Sequence, residues 1–268
     1  HEVQALVRRV VTLAGGFEKL VADVSSIVLK PNLVKDTDYC KPNWRGYPLD
    51  PQVNGCTTDW RVVHAAAVLI REINPACTIY ILEGGVGDTD SYFKNLGYTE
   101  ENFSDISPAP EFIALEDQDE FIEHTLEDSL YSEKKTYYFE KIYKTSDVLI
   151  SVPVLKNHWH AVVSGGIKNV GIGGVPAGHA AYGDTYRGSF IDHSSVKLHY
   201  WIRDWFKSRP VDYVIMDALQ GVQNGPTPSV EISGTRDLSE DQMNMRSIIA
   251  GLDAVAVDTI ETLAMNWD

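Results

Sequence analysis

The sequence predicts an α/β fold: a mainly parallel, doubly wound sheet in a single domain over residues 1–268, with an inserted α+β or hairpin segment at about 102–144. Three observations predict it. Short apolar runs alternate with longer stretches of helical period, the pattern that a parallel sheet with crossover helices imposes. Several of those runs end in a polar or glycine-rich motif, as strands do where a doubly wound sheet opens its ligand crevice. With 44% hydrophobic residues among 268, the chain can bury a full core.

A helix comes first: Val3, Leu6, Val7, Val10 and Val11 keep helical spacing up to the stop at Gly15-Gly16. A helix in that place leads to the expectation of a strand upstream of His1. Ile27-Val28-Leu29 reads as a strand over 27–30 that runs into Lys30-Pro31-Asn32, where Pro31 offers no ladder donor. Residues 34–55 lack a period and are long for an unstructured connection, a property of functional or disordered loops. Thr58 is placed to cap a helix over 59–73, with Val62, Val63, Ala66, Leu69 and Ile70 as its buried stripe and Pro75 beyond its end.

A strand over 78–82 leads into Glu83-Gly84-Gly85, and Asp88-Thr89-Asp90 can cap a short helix reaching Leu96. Between 102 and 144 acidic residues and aromatics alternate, which predicts the inserted hairpin, lying outside the main sheet. The alternation then resumes with a strand over 148–152, a Gly-rich loop with one or two short helices, an aromatic helix over 194–207, a strand over 213–216, a strand over 247–250 and a helix beginning near Ala254.

The net charge of −15 excludes a phosphate-backbone partner, because nucleic-acid binding needs a basic footprint. No apolar run approaches the roughly 18 residues of a membrane span, so the chain reads as water-soluble. It begins at His1, which suggests a trimmed N-terminus and leaves cytoplasmic and exported locations both open. Cys40, Cys56 and Cys77 have no C-x-x-C spacing, so no iron–sulfur or zinc-ribbon motif is present. Cys77 reads as a core thiol, and Cys40 and Cys56 share one loop and can pair in an oxidising compartment.

Chemistry concentrates in Ser151–Ala180, where Lys156, Asn157, His158, His160, Lys168, Asn169 and His179 stand among six glycines. Five of the eight histidines, including His193 and His199, fall between Lys156 and Tyr200. The motifs at strand ends predict one shared cavity. Lys30, Asn32, Lys156, Asn169, Asp217 and Asn224 are its candidate ligand-binding groups, with a locally positive field suited to a small anion. The backbone of Ser164–Gly166 can offer N–H groups to the same anion. His158 and Lys168 are the candidate catalytic pair. His160, His179 and His193 are candidate metal ligands, so a metal ion is the cofactor class the histidines point to; each also has a structural reading as a hydrogen-bonded residue. The segment fits neither the P-loop nor the dinucleotide fingerprint, and Ser164 lacks a nucleophile elbow.

The phrases VLKPNLV (28–34), DVLISVPVLKNH (147–158), SGGIKNVGIG (164–173), DYVIMDALQGVQNGPTP (212–228) and IIAGLDAVAVDTIETLAM (248–265) resemble the prokaryotic family called domain of unknown function 362. That resemblance implies little about mechanism. Some members carry a ferredoxin-type iron–sulfur module, which implies a redox partner or a partner-binding role as the alternative to an enzyme. His158 followed by Ser164-Gly165-Gly166-Ile167-Lys168 is also similar to a segment of nickel-dependent lactate racemases. This implies a proton moved by His158, a cofactor or anion held by Lys168, and a metal approached by His179 or His193. The chain departs from that pattern at Ile167, where the racemases have a basic residue.

Overall fold

The computed structural model describes residues 2–34, 55–132, 135–176, 178–179, 185–223, 225 and 242–267. Cys40, Asn224 and the middle of the 34–55 loop lie outside them, so the cysteine pair and the Asn224 expectation do too. Among the described residues no helix is long and apolar enough to cross a membrane.

The main sheet joins β1 (Ser26–Pro31), β2 (Thr78–Glu83), β3 (Glu111–Ala114), β6 (Val148–Val152), β7 (Val154–His158), β8 (Val162–Val163) and β11 (Tyr213–Val222) in the order β3-β2-β1-β6-β11-β7-β8. β1, β2, β3, β6 and β11 pair in parallel along this path, as does β7 with β11. The 10-residue β11 is longer than the 213–216 expected. Its far edge carries β12 (Gln242–Met243) and β13 (Ser247–Gly251), both antiparallel. Pro153 separates β6 from β7, and both run beside β11, whose Asp217 N–H donates to the Pro153 carbonyl at 2.8 Å. A proline without an N–H is tolerated at that break.

Alternate side chains of each strand enter two core layers, as the period of two requires. Ile27, Leu29, Val148, Ile150, Tyr213 and Ile215 pack toward α1 (Glu2–Leu13) and α3 (Trp60–Ile73). Val28, Leu149, Val214 and Met216 pack toward α6 (Gly166–Gly173), α8 (Ser195–Ser208) and α9 (Ala254–Ala264). Helices on both faces make the sheet doubly wound.

Two expectations are corrected. Glu111–Ala114 does not lie outside the sheet: it pairs in parallel with β2 and forms the sheet's edge. The remainder of the insert matches the expectation, since β4 (Phe121–Thr125) and β5 (Thr136–Glu140) form a separate antiparallel pair. That hairpin lies over α8, with the Phe139 and Trp205 ring centroids 4.0 Å apart. The cap of α3 is Asp59, whose side chain accepts the Arg61 N–H at 2.9 Å, rather than Thr58. Thr58 Oγ1 instead donates to the Val152 carbonyl at 2.7 Å and accepts the Asn32 N–H at 2.9 Å, which ties the ends of β1 and β6 together. The short helix capped by Asp88 is present as α4 (Thr89–Asn95).

Candidate functional site

A cavity of about 130 Å³ opens beyond the carboxyl ends of β1, β2 and β7. Asn32, Glu83, Lys156, His158, Lys168, Arg187 and His193 line it. Three cationic side chains thus meet one carboxylate. Each position follows from local structure: Asn32 and Glu83 sit where β1 and β2 end, Lys156 and His158 lie on β7, and Lys168 projects from the first turn of α6.

Lys168 stands apart from the other two cations of the cavity. Among the described residues no hydrogen bond or ion pair engages its amine. Burial lowers its pKa to about 7, with Lys156, Arg187 and Lys30 adding repulsion against the weaker attraction of Glu261. Lys156, by contrast, is buried with Nζ donating to Asn32 Oδ1 at 3.1 Å and to the Cys56 carbonyl at 2.5 Å.

The two histidines at the cavity are fixed in different states. His158 Nδ1 accepts the backbone N–H groups of His160 and Ala161, both at 3.2 Å. A backbone N–H can only donate, so Nδ1 bears no proton and the ring is neutral with its hydrogen on Nε2. Burial, followed by the charges of Lys168 and Lys156, pushes the His158 pKa down to about 2, which agrees with a neutral ring. Val162, paired with His158 across the β7–β8 hairpin, has a φ of +68°, a conformation a β-branched residue rarely adopts. His193 is the reverse: its Nδ1 lies 2.9 Å from the Ile191 carbonyl. A carbonyl only accepts, so Nδ1 holds the hydrogen and Nε2 keeps a lone pair. Burial, above all, lowers the His193 pKa too.

Other predicted residues are placed behind the cavity. Lys30 is fully buried and does not line it; Nζ donates to the Pro31 carbonyl at 2.6 Å, Glu83 Oε1 at 2.9 Å and Asn169 Oδ1 at 3.3 Å. Asn169 in turn donates to the Lys30 carbonyl at 2.8 Å and to Ser151 Oγ at 3.0 Å, cementing α6 to the sheet. Asp217 accepts the Asp59 N–H at 2.8 Å and the Leu219 N–H at 2.9 Å, and burial beside Asp59 raises its pKa to about 7.

The Ser164–Gly166 backbone is not open to a ligand anion. Glu261 Oε2 accepts the Gly165 N–H at 2.8 Å, and Asp258 accepts those of Gly166 at 2.6 Å and Ile167 at 3.1 Å. The helix N-terminus of α6 therefore holds the protein's own carboxylates. Gly165 is required there, because its φ is +23° and an added Cβ would run into the Asp258 carboxylate.

His160 is exposed, and the backbone of His179 pairs with Thr185, while the His179 side chain lies outside the described residues. Among the described residues no three His, Cys, Asp or Glu side chains stand together to hold a metal ion.

Arg187 was missed by sequence reasoning. It is buried at the cavity wall, where it donates to the carbonyls of Gly84 at 2.7 Å, Ile172 at 2.9 Å and Val175 at 2.7 Å. Asp258 and Glu261 were missed as capping groups, although Glu261 falls on the buried stripe Ala254, Val257, Glu261 and Met265 that a helical period reveals. A larger cavity of about 330 Å³ opens at the opposite end of the sheet, beside Ser26 and Ser146. Two of its carboxylates are engaged: Glu120 pairs with Lys141, and Glu140 caps the helix Lys141–Thr145.

The structure of the lactate racemase apoprotein from Thermoanaerobacterium thermosaccharolyticum is similar in fold, with a TM-score of 0.55 and 12% identity over 98% of this chain and 55% of that one. The chain thus spans about half the length of that racemase. No curated protein matches it. The family model described as Domain of unknown function (DUF362) matches residues 39–262. That match covers most of the sheet and every cavity residue except Asn32 and Val34, and the chain belongs to this family.

Proposed function

We propose that the chain is an enzyme that binds a small anionic substrate in the cavity at the strand ends and moves a proton on it. Lys168 carries this reading. Its amine faces the cavity with no counter-ion among the described residues, and a shielded charge without a partner is costly, so an entering anion supplies the interaction that the fold leaves open. The cavity, at about 130 Å³, suits a ligand of few atoms beside the roughly 300–1,000 Å³ of clefts for drug-sized molecules.

The histidines divide the proton work. His158 Nε2–H is a hydrogen-bond donor toward a substrate oxygen, and His193 Nε2 is the lone pair that takes a proton. The proton-transfer role expected of His158 from the sequence is thus shared, with His193 as the acceptor. Calorimetric titration with short carboxylates and phosphate tests the reading. Lys168→Met should abolish binding without lowering the melting temperature; undiminished binding in the variant would refute it.

The fold likeness to a lactate racemase supports a narrower second reading, a racemase-like exchange of hydrogen at the carbon beside a carboxylate. A donor and an acceptor imidazole at one cavity suit such chemistry. Incubation with single-enantiomer lactate in heavy water tests it by deuterium uptake at that carbon.

A further inference from the structure

We propose that Lys168 captures a carbonyl: its amine condenses with the C=O of a small 2-oxo acid or aldehyde carboxylate bound in the cavity, giving an imine. The proposal rests on the anion-site reading above and names its substrate class.

Three lysines converge behind and around the cavity, and among the described residues two of them, Lys30 and Lys156, have oxygen partners while Lys168 has none. Lys30 donates to three oxygens and pairs with Glu83 at 2.9 Å. Lys156 donates to two. Bonds to oxygen favour the charged form of a lysine, whose nitrogen has no lone pair to offer. Lys168 has no such partner among the described residues, and it lies among the cations Lys156 and Arg187. Desolvation near other cations is the setting that makes a lysine nucleophilic. The nearby carboxylates are bonded elsewhere: Glu83 to Lys30 and the Leu33 and Gly84 N–H groups, and Asp258 and Glu261 to backbone N–H groups of Lys156, Gly165, Gly166 and Ile167. The downward pKa shift to about 7 agrees with this geometry.

The step balances without an oxidant or reductant. The amine nitrogen attacks the carbonyl carbon, forming the C–N bond, and the π pair moves to oxygen, where His158 Nε2–H donates a hydrogen bond. His193 Nε2 takes a proton from the new ammonium nitrogen and passes it to that oxygen. The nitrogen lone pair then expels the hydroxyl, and the second amine proton leaves with it as water. When the imine nitrogen is protonated again, a positive charge stays beside the substrate carboxylate.

The test uses the full chain with pyruvate as the carbonyl probe and cyanoborohydride as trapping reductant, with lactate as a carboxylate of similar size that lacks the carbonyl. Intact mass should show one stable pyruvate adduct, and peptide mapping should place it on Lys168. Lys168→Arg and Lys168→Met should reduce trapping to background, and lactate should bind without forming an adduct. No adduct, or adducts scattered over surface lysines and unchanged in both variants, would overturn the proposal. If lactate still binds in that case, the anion site stands and carbonyl capture falls. If lactate does not bind either, both readings fall.

Discussion

His158 and His193 line one cavity with their rings held in opposite tautomers, Nδ1 bare in the first and Nδ1 protonated in the second. Backbone groups set both states: two N–H donors for His158 and one carbonyl for His193. The arrangement gives the cavity one imidazole that donates and one that accepts, without a charge on either. Long-range nitrogen–proton spectra of the imidazoles at neutral pH should therefore show hydrogen on Nε2 of His158 and on Nδ1 of His193. Two rings in the same tautomer, or a charged ring, would contradict the division of roles.

Lys30 and Glu83 form a buried ion pair at 2.9 Å whose members are 0% and 2% exposed. Removing one partner strands the other in the interior. Lys30→Met should cost about 3–5 kcal/mol in chemical denaturation. Adding Glu83→Gln should recover much of the loss, since glutamine can remain an acceptor for the Leu33 N–H without carrying charge. An unrecovered double variant would show that packing, not charge, sets the cost.

Gly84 joins the end of β2 to the end of α6 through its N–H to the Gly173 carbonyl at 2.8 Å. An added Cβ there would run into the Val175 carbonyl, a backbone atom also held by Arg187. Gly84→Ala should cost about 1–3 kcal/mol through this overpacking. An unchanged denaturation midpoint would show that the wall of the cavity yields easily.

Burial lifts Asp258 from 3.8 to about 6, against the opposing pull of the Ile167 and Gly166 N–H groups. An acid whose pKa is higher in the folded state binds its proton more tightly there. Its contribution to stability is complete below about pH 4 and is lost as pH rises through about 6. Asp258→Asn removes this dependence. The variant should therefore gain stability relative to the parent as pH is raised from about 4 to about 7. A gap that is constant with pH, or narrows in the other direction, would contradict the burial of that carboxyl.

The strands were legible where apolar runs were central: β6 lies at 148–152, as its Val-Leu-Ile run predicts, because both faces of that strand are covered. Glu111–Ala114 was not, since a four-residue edge strand with exposed and half-buried side chains leaves little period. Within the site, His158, Lys168 and His193 were legible from a density of ionisable groups among glycines. Lys30 looked like a ligand group because its partner Glu83 ends the neighbouring strand, 53 residues away, and that pairing is a tertiary fact. Arg187 gave no signal for the same reason: the carbonyls it holds come from Gly84, Ile172 and Val175, on two separate parts of the chain.

The most direct test of the account is the titration of the lysine amines by nuclear magnetic resonance, with Lys168 assigned by its loss in Lys168→Met. The Lys168 signal should titrate near 7, and its midpoint should rise when a short carboxylate is added, because a bound anion stabilises the ammonium. A Lys168 signal that titrates in the ordinary lysine range, near 10, and ignores added carboxylate would contradict the claim that this amine is the open binding group of the cavity.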